Sequence, residues 1–224
     1  MGRAPRVDIS NHIFHVINRA NSRLKIFHNQ RDYQHFESLL EEAAKRSDMR
    51  IIAYVVMPNH WHLLLHPRND GDVATFMQWL TLTHTQQYHA RTKTIGHGHL
   101  YQGRYKSFIV SDDSYLKAVI KYIERNPVRA KLSKTVETWR WGSGFRRLDG
   151  VEKEKRLITT PPSKLPKNYR TWVNTPESKK ELEAVRTSVN KGQPFGNMEW
   201  VKRVVERFGL QSTTRGAGRP KKGT

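Results

Sequence analysis

Residues 50–56 (RIIAYVV) and 60–66 (HWHLLLH) are two apolar runs of strand length, separated only by Met57-Pro58-Asn59. Proline ends the first run and asparagine suits a turn, so the break admits a tight connection and little else. The two runs therefore form a hairpin, and the rest of the chain has to be arranged around it. Upstream, residues 12–17 (HIFHVI) alternate in the manner of a strand, and residues 31–46 carry Tyr33, Phe36, Leu39, Leu40 and Ala43 at the helical period. Asp32 sits where an N-cap or first-turn acid belongs. Downstream, a second helix is expected over 72–90, with Val73, Phe76, Leu80, Thr83 and Gln87 along one side, and a short strand over 108–110. A third helix starts from Asp112 or Asp113 and runs to about Arg125, where Asn126-Pro127 interrupts it. The order strand, helix, strand, strand, helix, strand is that of an α+β, ferredoxin-like split βαβ palm with an antiparallel sheet. The hairpin is its centre, and one further helix follows the palm.

The chain divides by composition. Residues 1–150 form the main unit, and 151–176 mix charges and prolines as a linker or surface wrap. Residues 177–210 hold two helical patterns, expected as a small DNA-contacting appendage, and 211–224 are expected as a disordered basic tail. Lys and Arg number 40 against 20 Asp and Glu, a formal net charge of +20. Such self-repulsion calls for a polyanionic partner. Nucleic acid fits first and an anionic membrane surface second, while a basic ribosomal-type protein has the same composition. The absence of cysteine removes disulfide, thiolate-zinc and thiol-nucleophile chemistry together. No run of about 18 apolar residues or signal-like apolar segment occurs, so the expected location is the cytoplasm, in association with the nucleoid.

Several groups of residues could carry chemistry or binding. His60 and His62 lie two apart on a strand, so their imidazoles share a face and could bind a divalent cation, with Trp61 packed on the other side. A histidine pair in a basic chain can equally be structural. Tyr122 and Asn126 lie four apart, on one helical face. A phenol attacks poorly unaided. A metal that polarises a phosphate would help it, and an amide one turn away could ligate that metal. A core tyrosine and a helix-ending asparagine would look the same. Tyr115, seven residues earlier, is a second candidate nucleophile or a packing residue at the helix start. The segment 97–108 offers His99, Tyr101, Arg104, Tyr105 and Lys106, cations for phosphates and rings for unpaired bases. Arg19, Arg23 and Lys25 could form another phosphate-binding edge, and Arg215, Arg219, Lys221 and Lys222 a cationic arm. Trp139 and Trp141 flank Arg140 and are expected to pack a C-terminal element onto the main unit. A nucleotide-hydrolase phosphate loop, a Gly-x-Ser-x-Gly elbow and an evident carboxylate triad are all missing from the sequence.

Taken in order, PNHWHLLLHP, LYQGRYKSF and YIERNPVRA resemble the HUH single-tyrosine transposases, specifically the REP-associated tyrosine transposases, over about residues 8–145. A looser likeness extends to the C-terminal helices and the GRPKK tail. The resemblance implies His60 and His62 as metal ligands, Tyr122 as nucleophile and Asn126 as third ligand. Related enzymes vary at that last position. It further implies Mg²⁺ or Mn²⁺ as cofactor. The expected substrate is single-stranded and hairpin DNA of repetitive extragenic palindromes, cut and rejoined through a 5′-phosphotyrosine by a monomer or homodimer. A non-catalytic basic nucleic-acid binder is the alternative. A replication initiator or relaxase of the same chemistry fits less well with the short chain and a tyrosine placed after the palm.

Overall fold

A computed structural model describes residues 6–111 and 113–215. Strands β1 (Ile13–Arg19), β2 (Arg50–Met57), β3 (His60–His66) and β4 (Lys106–Val110) form one antiparallel sheet in the order β2-β3-β1-β4. Helices α1 (Gln30–Arg46) and α2 (Asp72–Thr92) connect them in the split βαβ manner expected from the sequence. Of its two expected roles Asp32 takes the first-turn acid and not the N-cap of α1. Asn29 is the N-cap, accepting from Arg31 N and Asp32 N, while the Asp32 carboxylate returns a bond to the Asn29 N–H and completes a capping box. The start of α2 is capped from a distance: the Asp8 carboxylate accepts from Val73 N and Ala74 N, which fastens the N-terminal segment to the palm.

Both faces of the sheet are covered. Trp61, Leu63 and Leu65 of β3 point with Phe14, Val16, Tyr54 and Val56 into a core shared with α1 and α2. Leu64, with Ile13, Val55, Met57 and Phe108, points into a second core. That core is closed by α3 (Ser114–Glu124), capped by Asp113, and α8 (Lys179–Lys191). By strand alternation His60 and His62 share the α3 face. Covering both faces explains why β3 reads as a nearly unbroken apolar run.

The sheet edges are closed as well. Val56 N donates to Trp141 O at 2.8 Å and Gly142 bridges to Val55, so the segment after α4 (Asn126–Arg129) lies along β2. Trp141 stacks on Tyr33 with ring centroids 5.0 Å apart, and Trp139 Nε1 donates to Val56 O. The two tryptophans thus pack the following chain onto the main unit, as expected. At the opposite edge Phe195 N donates to Ile109 O and Phe195 O accepts from Ser111 N, each near 2.9 Å. Each outer strand thus has a backbone partner that blunts its edge.

After α5 (Ser143–Leu148), residues 151–176 behave as a wrap rather than a free linker. They contain α6 (Glu152–Lys155) and α7 (Tyr169–Asn174), bury Val173, and pin themselves through a Tyr169 hydroxyl that donates to the buried Glu124 carboxylate. Polar composition hid this, because the anchors are single residues with distant partners. Helices α8 and α9 (Met198–Phe208) pack against the palm, burying Val185 in one core and Val204 and Val205 in the other. The first residues of the expected tail are ordered: residues 211–214 form α10, with Thr213 buried and its hydroxyl donating to Leu210 O. Arg219, Lys221 and Lys222 lie outside the described residues.

Glu177, the first residue after the wrap, ties that part of the chain to Arg125 and Arg129 of the α3–α4 segment. Its carboxylate accepts from Arg125 Nε at 2.9 Å and from Arg129 at 2.5 Å, and all three side chains are largely buried. Glu177→Ala strands two buried guanidinium groups. It is expected to cost about 3–5 kcal/mol, measured by denaturant unfolding. A loss under about 1 kcal/mol would show that the cluster is solvated.

Candidate active site

The site is built from β3, its neighbour β1 and the helix that covers them. His62 is fully buried and His60 half-buried, with ring centroids 5.2 Å apart on one face of β3. The Tyr122 ring comes from α3 and lies edge-on to His62, centroids 5.9 Å apart. Strand parity and the covering helix therefore bring the two histidines and the tyrosine together. Asn126 opens α4 one turn beyond Tyr122 and is half-buried; its backbone carbonyl accepts from Ala130 N. Tyr115 is turned to other work. It packs against Phe195 at 5.1 Å, at the start of α3 where Asp113 accepts from its N–H.

Each histidine is held at Nδ1. His60 Nδ1 lies 2.6 Å from Asn59 Oδ1, and His62 Nδ1 lies 2.9 Å from Nε2 of the buried His15 on β1. Nδ1 contacts of this kind orient a ring, and where Nδ1 is the donor they leave the lone pair on Nε2 for a ligand. Burial keeps these imidazoles neutral. Desolvation, then the nearby Arg19, lowers His60 to about 4; desolvation lowers His15 to about 3. His62 falls well below the usual value through burial first, and then through His15, His60, Arg129 and Arg19. A neutral imidazole is the form that ligates a metal. Burial also raises the Tyr122 phenol, while the Arg129 guanidinium pulls in the opposite direction. Arg129 sits 4.3 Å above the Tyr122 ring, donates to Tyr122 O, and is itself gripped by Glu177. It thereby fixes the ring and places a positive charge beside it.

The neutral histidines make stability pH-dependent. Folded, His15, His62 and His84 stay unprotonated; unfolded, each binds a proton near pH 6.5. The unfolded state thus takes up more protons as pH falls below about 6.5, and stability drops. The metal-free chain is expected to lose about 1 kcal/mol per histidine between pH 7 and 5.5, read by urea unfolding at both pH values. A flat profile would contradict the buried neutral state.

Of the cations expected to meet DNA, three come together. Arg19, Arg104 and Lys106 line one cleft of about 450 Å³ with Asn18 and Asn190. Arg19 stands opposite His60 in the β1–β3 register, so the cleft adjoins the histidines. His99, Arg23 and Lys25 are exposed on neighbouring loops, and Arg215 is exposed near the C-terminal end of the described chain. Tyr101 and Tyr105 require correction as open stacking rings, because both are buried. The Tyr101 hydroxyl bridges Trp61 Nε1 at 3.1 Å and His84 Nδ1 at 2.6 Å, and Tyr105 lies under the Arg6 guanidinium. Their aromatic spacing signals how the loop is anchored.

His15, Asn59, Arg129 and Glu177 were not singled out from sequence. Strand parity already put His15 on one face of β1, but only the register of β1 against β3, with Ile17 opposite His62, brings it to His62. Arg129 lies seven residues after Tyr122, a helical spacing that could have drawn attention to it.

The chain is similar to known transposases. The family model described as "Transposase IS200 like" matches residues 8–126, and the chain belongs to that family. A Haemophilus influenzae protein named "Putative REP-associated tyrosine transposase" is 25% identical over 119 residues, covering 50% of this chain and 68% of that protein. A solved REP-associated tyrosine transposase, described as bound to a REP hairpin, matches with a TM-score of 0.54 at 18% identity. That match covers 80% of this chain and 100% of the other, and it supports the same fold. No helix among the described residues is long and apolar enough to cross a membrane.

Proposed function

We propose that this transposase nicks and joins single-stranded DNA at the foot of hairpin-forming repetitive palindromes, with Tyr122 as nucleophile. The observation that carries the proposal is the Tyr122 ring set against His62, on the same face of the sheet as His60. Arg19, Arg104 and Lys106 bind backbone phosphates in the cleft beside them. The Tyr122 phenol oxygen attacks phosphorus in line; the P–O bond to the 3′-oxygen breaks, and the DNA is left on the enzyme as a 5′-phosphotyrosine. The phenol proton leaves to solvent and the departing 3′-oxygen gains one. The new diester keeps the reactivity of the old, so another 3′-hydroxyl can reverse the step and join different DNA. Arg129 holds the ring in place and favours its phenolate.

The donor set suits a divalent cation. Two neutral imidazoles share a face, each oriented by a contact at Nδ1; with the proton on Nδ1, Nε2 of each is the ligating atom. Among the described residues no group of three His, Asp or Glu side chains is arranged to hold a metal ion by itself, so the pair needs an amide oxygen, the role proposed for Asn126, and phosphate oxygens of the DNA. Mg²⁺ or Mn²⁺ bound there would neutralise charge building on the scissile phosphate.

Band-shift titrations over a range of salt test the proposal. A hairpin with an unpaired 5′ flank is expected to bind more tightly than blunt duplex, with log affinity falling by about 0.7 per phosphate contact against log salt on the single strand. Equal affinity for flanked hairpin and duplex would remove the single-strand assignment. Tight binding with no cleavage in Mn²⁺ would favour the non-catalytic binder.

A further inference from the structure

Asn59 closes the turn between β2 and β3 and touches two groups at once. Its Oδ1 lies 2.6 Å from His60 Nδ1, and its Nδ2 donates to Arg23 O at 3.0 Å. An amide nitrogen only donates and an amide oxygen only accepts. The bond to the Arg23 carbonyl therefore decides which end of the amide faces His60. The oxygen at that end obliges Nδ1 to be the donor. A neutral imidazole carries one N–H, so the lone pair is placed on Nε2. Left in water, a histidine side chain prefers the other tautomer, with its proton on Nε2 and no lone pair there.

The second contact is to an unusual loop. Ser22 and Arg23 both have left-handed backbone, φ 51° and 57°, which disfavours non-glycine residues. The loop is laced to the same turn by Ala20 N donating to Asn59 O at 2.8 Å and Ile26 N donating to Pro58 O at 2.9 Å. It exposes the side chains of Arg23 and Lys25.

We propose that Asn59 is a positioning residue: it sets the tautomer in which His60 can ligate a metal, and it ties that ligand to the Arg23 loop. The cationic loop and the ligand are then held in one fixed relation. This rests on the metal site at His60 and His62 proposed above, and it concerns how one of its ligands is prepared.

The test uses the full-length, metal-free chain labelled with ¹⁵N-histidine, followed by Mn²⁺ titration read by electron paramagnetic resonance. The unsubstituted chain should show His60 protonated at Nδ1. Asn59→Leu removes both bonds; the proton should move toward Nε2, and Mn²⁺ affinity should fall by about 10- to 100-fold. Asn59→Asp still accepts from Nδ1–H but cannot donate to Arg23 O. It should keep the tautomer and at least the original Mn²⁺ affinity, while amide hydrogen exchange quickens in residues 21–25. Unchanged tautomer and affinity in Asn59→Leu overturn the inference. If that variant does not fold, lost affinity or unchanged exchange in Asn59→Asp overturns it as well. His60→Ala separates the two levels. If it still binds Mn²⁺ fully, the metal site itself is wrong and this inference goes with it. If it loses Mn²⁺ while Asn59→Leu does not, only the role of Asn59 fails.

Discussion

Tyr122→Phe is expected to abolish cleavage while leaving hairpin affinity within about twofold. The substitution removes one oxygen. The ring that packs beside His62, His15 and Arg129 stays in place, so neither the core nor the cleft changes. Loss of a covalent nucleophile costs on the order of 10⁴-fold or more in the chemical step. Single-turnover cleavage of a labelled hairpin at saturating protein reads that step without interference from binding. Residual cutting within tenfold of the unsubstituted chain would transfer the role to another group. Tyr115 is poorly placed to take it, since it packs on Phe195 at the far end of α3.

His62→Ala is expected to differ from His60→Ala in a way that activity alone does not reveal. Both should lose Mn²⁺ binding and, with it, several kcal/mol of transition-state stabilisation, on the order of 10³-fold in rate. His62, however, is buried and hydrogen-bonded to His15, whose Nδ1 has no protein partner among the described residues. Truncating His62 also strands His15 Nε2, at an added cost of about 1–3 kcal/mol in stability. His60 is half-buried, and its partner Asn59 keeps its bond to Arg23, so its loss should cost less. Calorimetric Mn²⁺ titration with urea unfolding of both variants checks the contrast. Retained Mn²⁺ binding in either variant would count against the ligand pair.

The palm was legible because its signals are local. Two apolar runs around Met57-Pro58-Asn59, helical periods at 31–46 and 72–90, and the Asn126-Pro127 break are each contained within about twenty residues. The observed β3 spans the very residues read as its run, His60–His66, and strand alternation placed its two histidines on the side where α3 packs. What sequence could not supply is pairing across distance. His15 meets His62 across 47 positions, and Glu177 meets Arg129 across 48. Tyr101 and Tyr105 misled for the same reason. Aromatics among cations suit a stacking surface, but Trp61 and His84 draw one ring inward and Arg6 covers the other. Residues 151–176 looked loose because Tyr169 bonds to a helix residue 45 positions away and Val173 is buried, and polar composition carries no trace of either anchor.

During cleavage DNA is expected to become joined to Tyr122. Incubating the full chain with a flanked hairpin and Mn²⁺, digesting the denatured adduct with protease and nuclease, and sequencing the nucleotide-bearing peptide by mass spectrometry measures that directly. The expected result is a phosphonucleotide on Tyr122, in the peptide that includes Tyr122-Ile123-Glu124, together with a free 3′-hydroxyl on the released strand. A nucleotide on Tyr115 or another side chain, or cleavage with no covalent adduct at any time point, would contradict it.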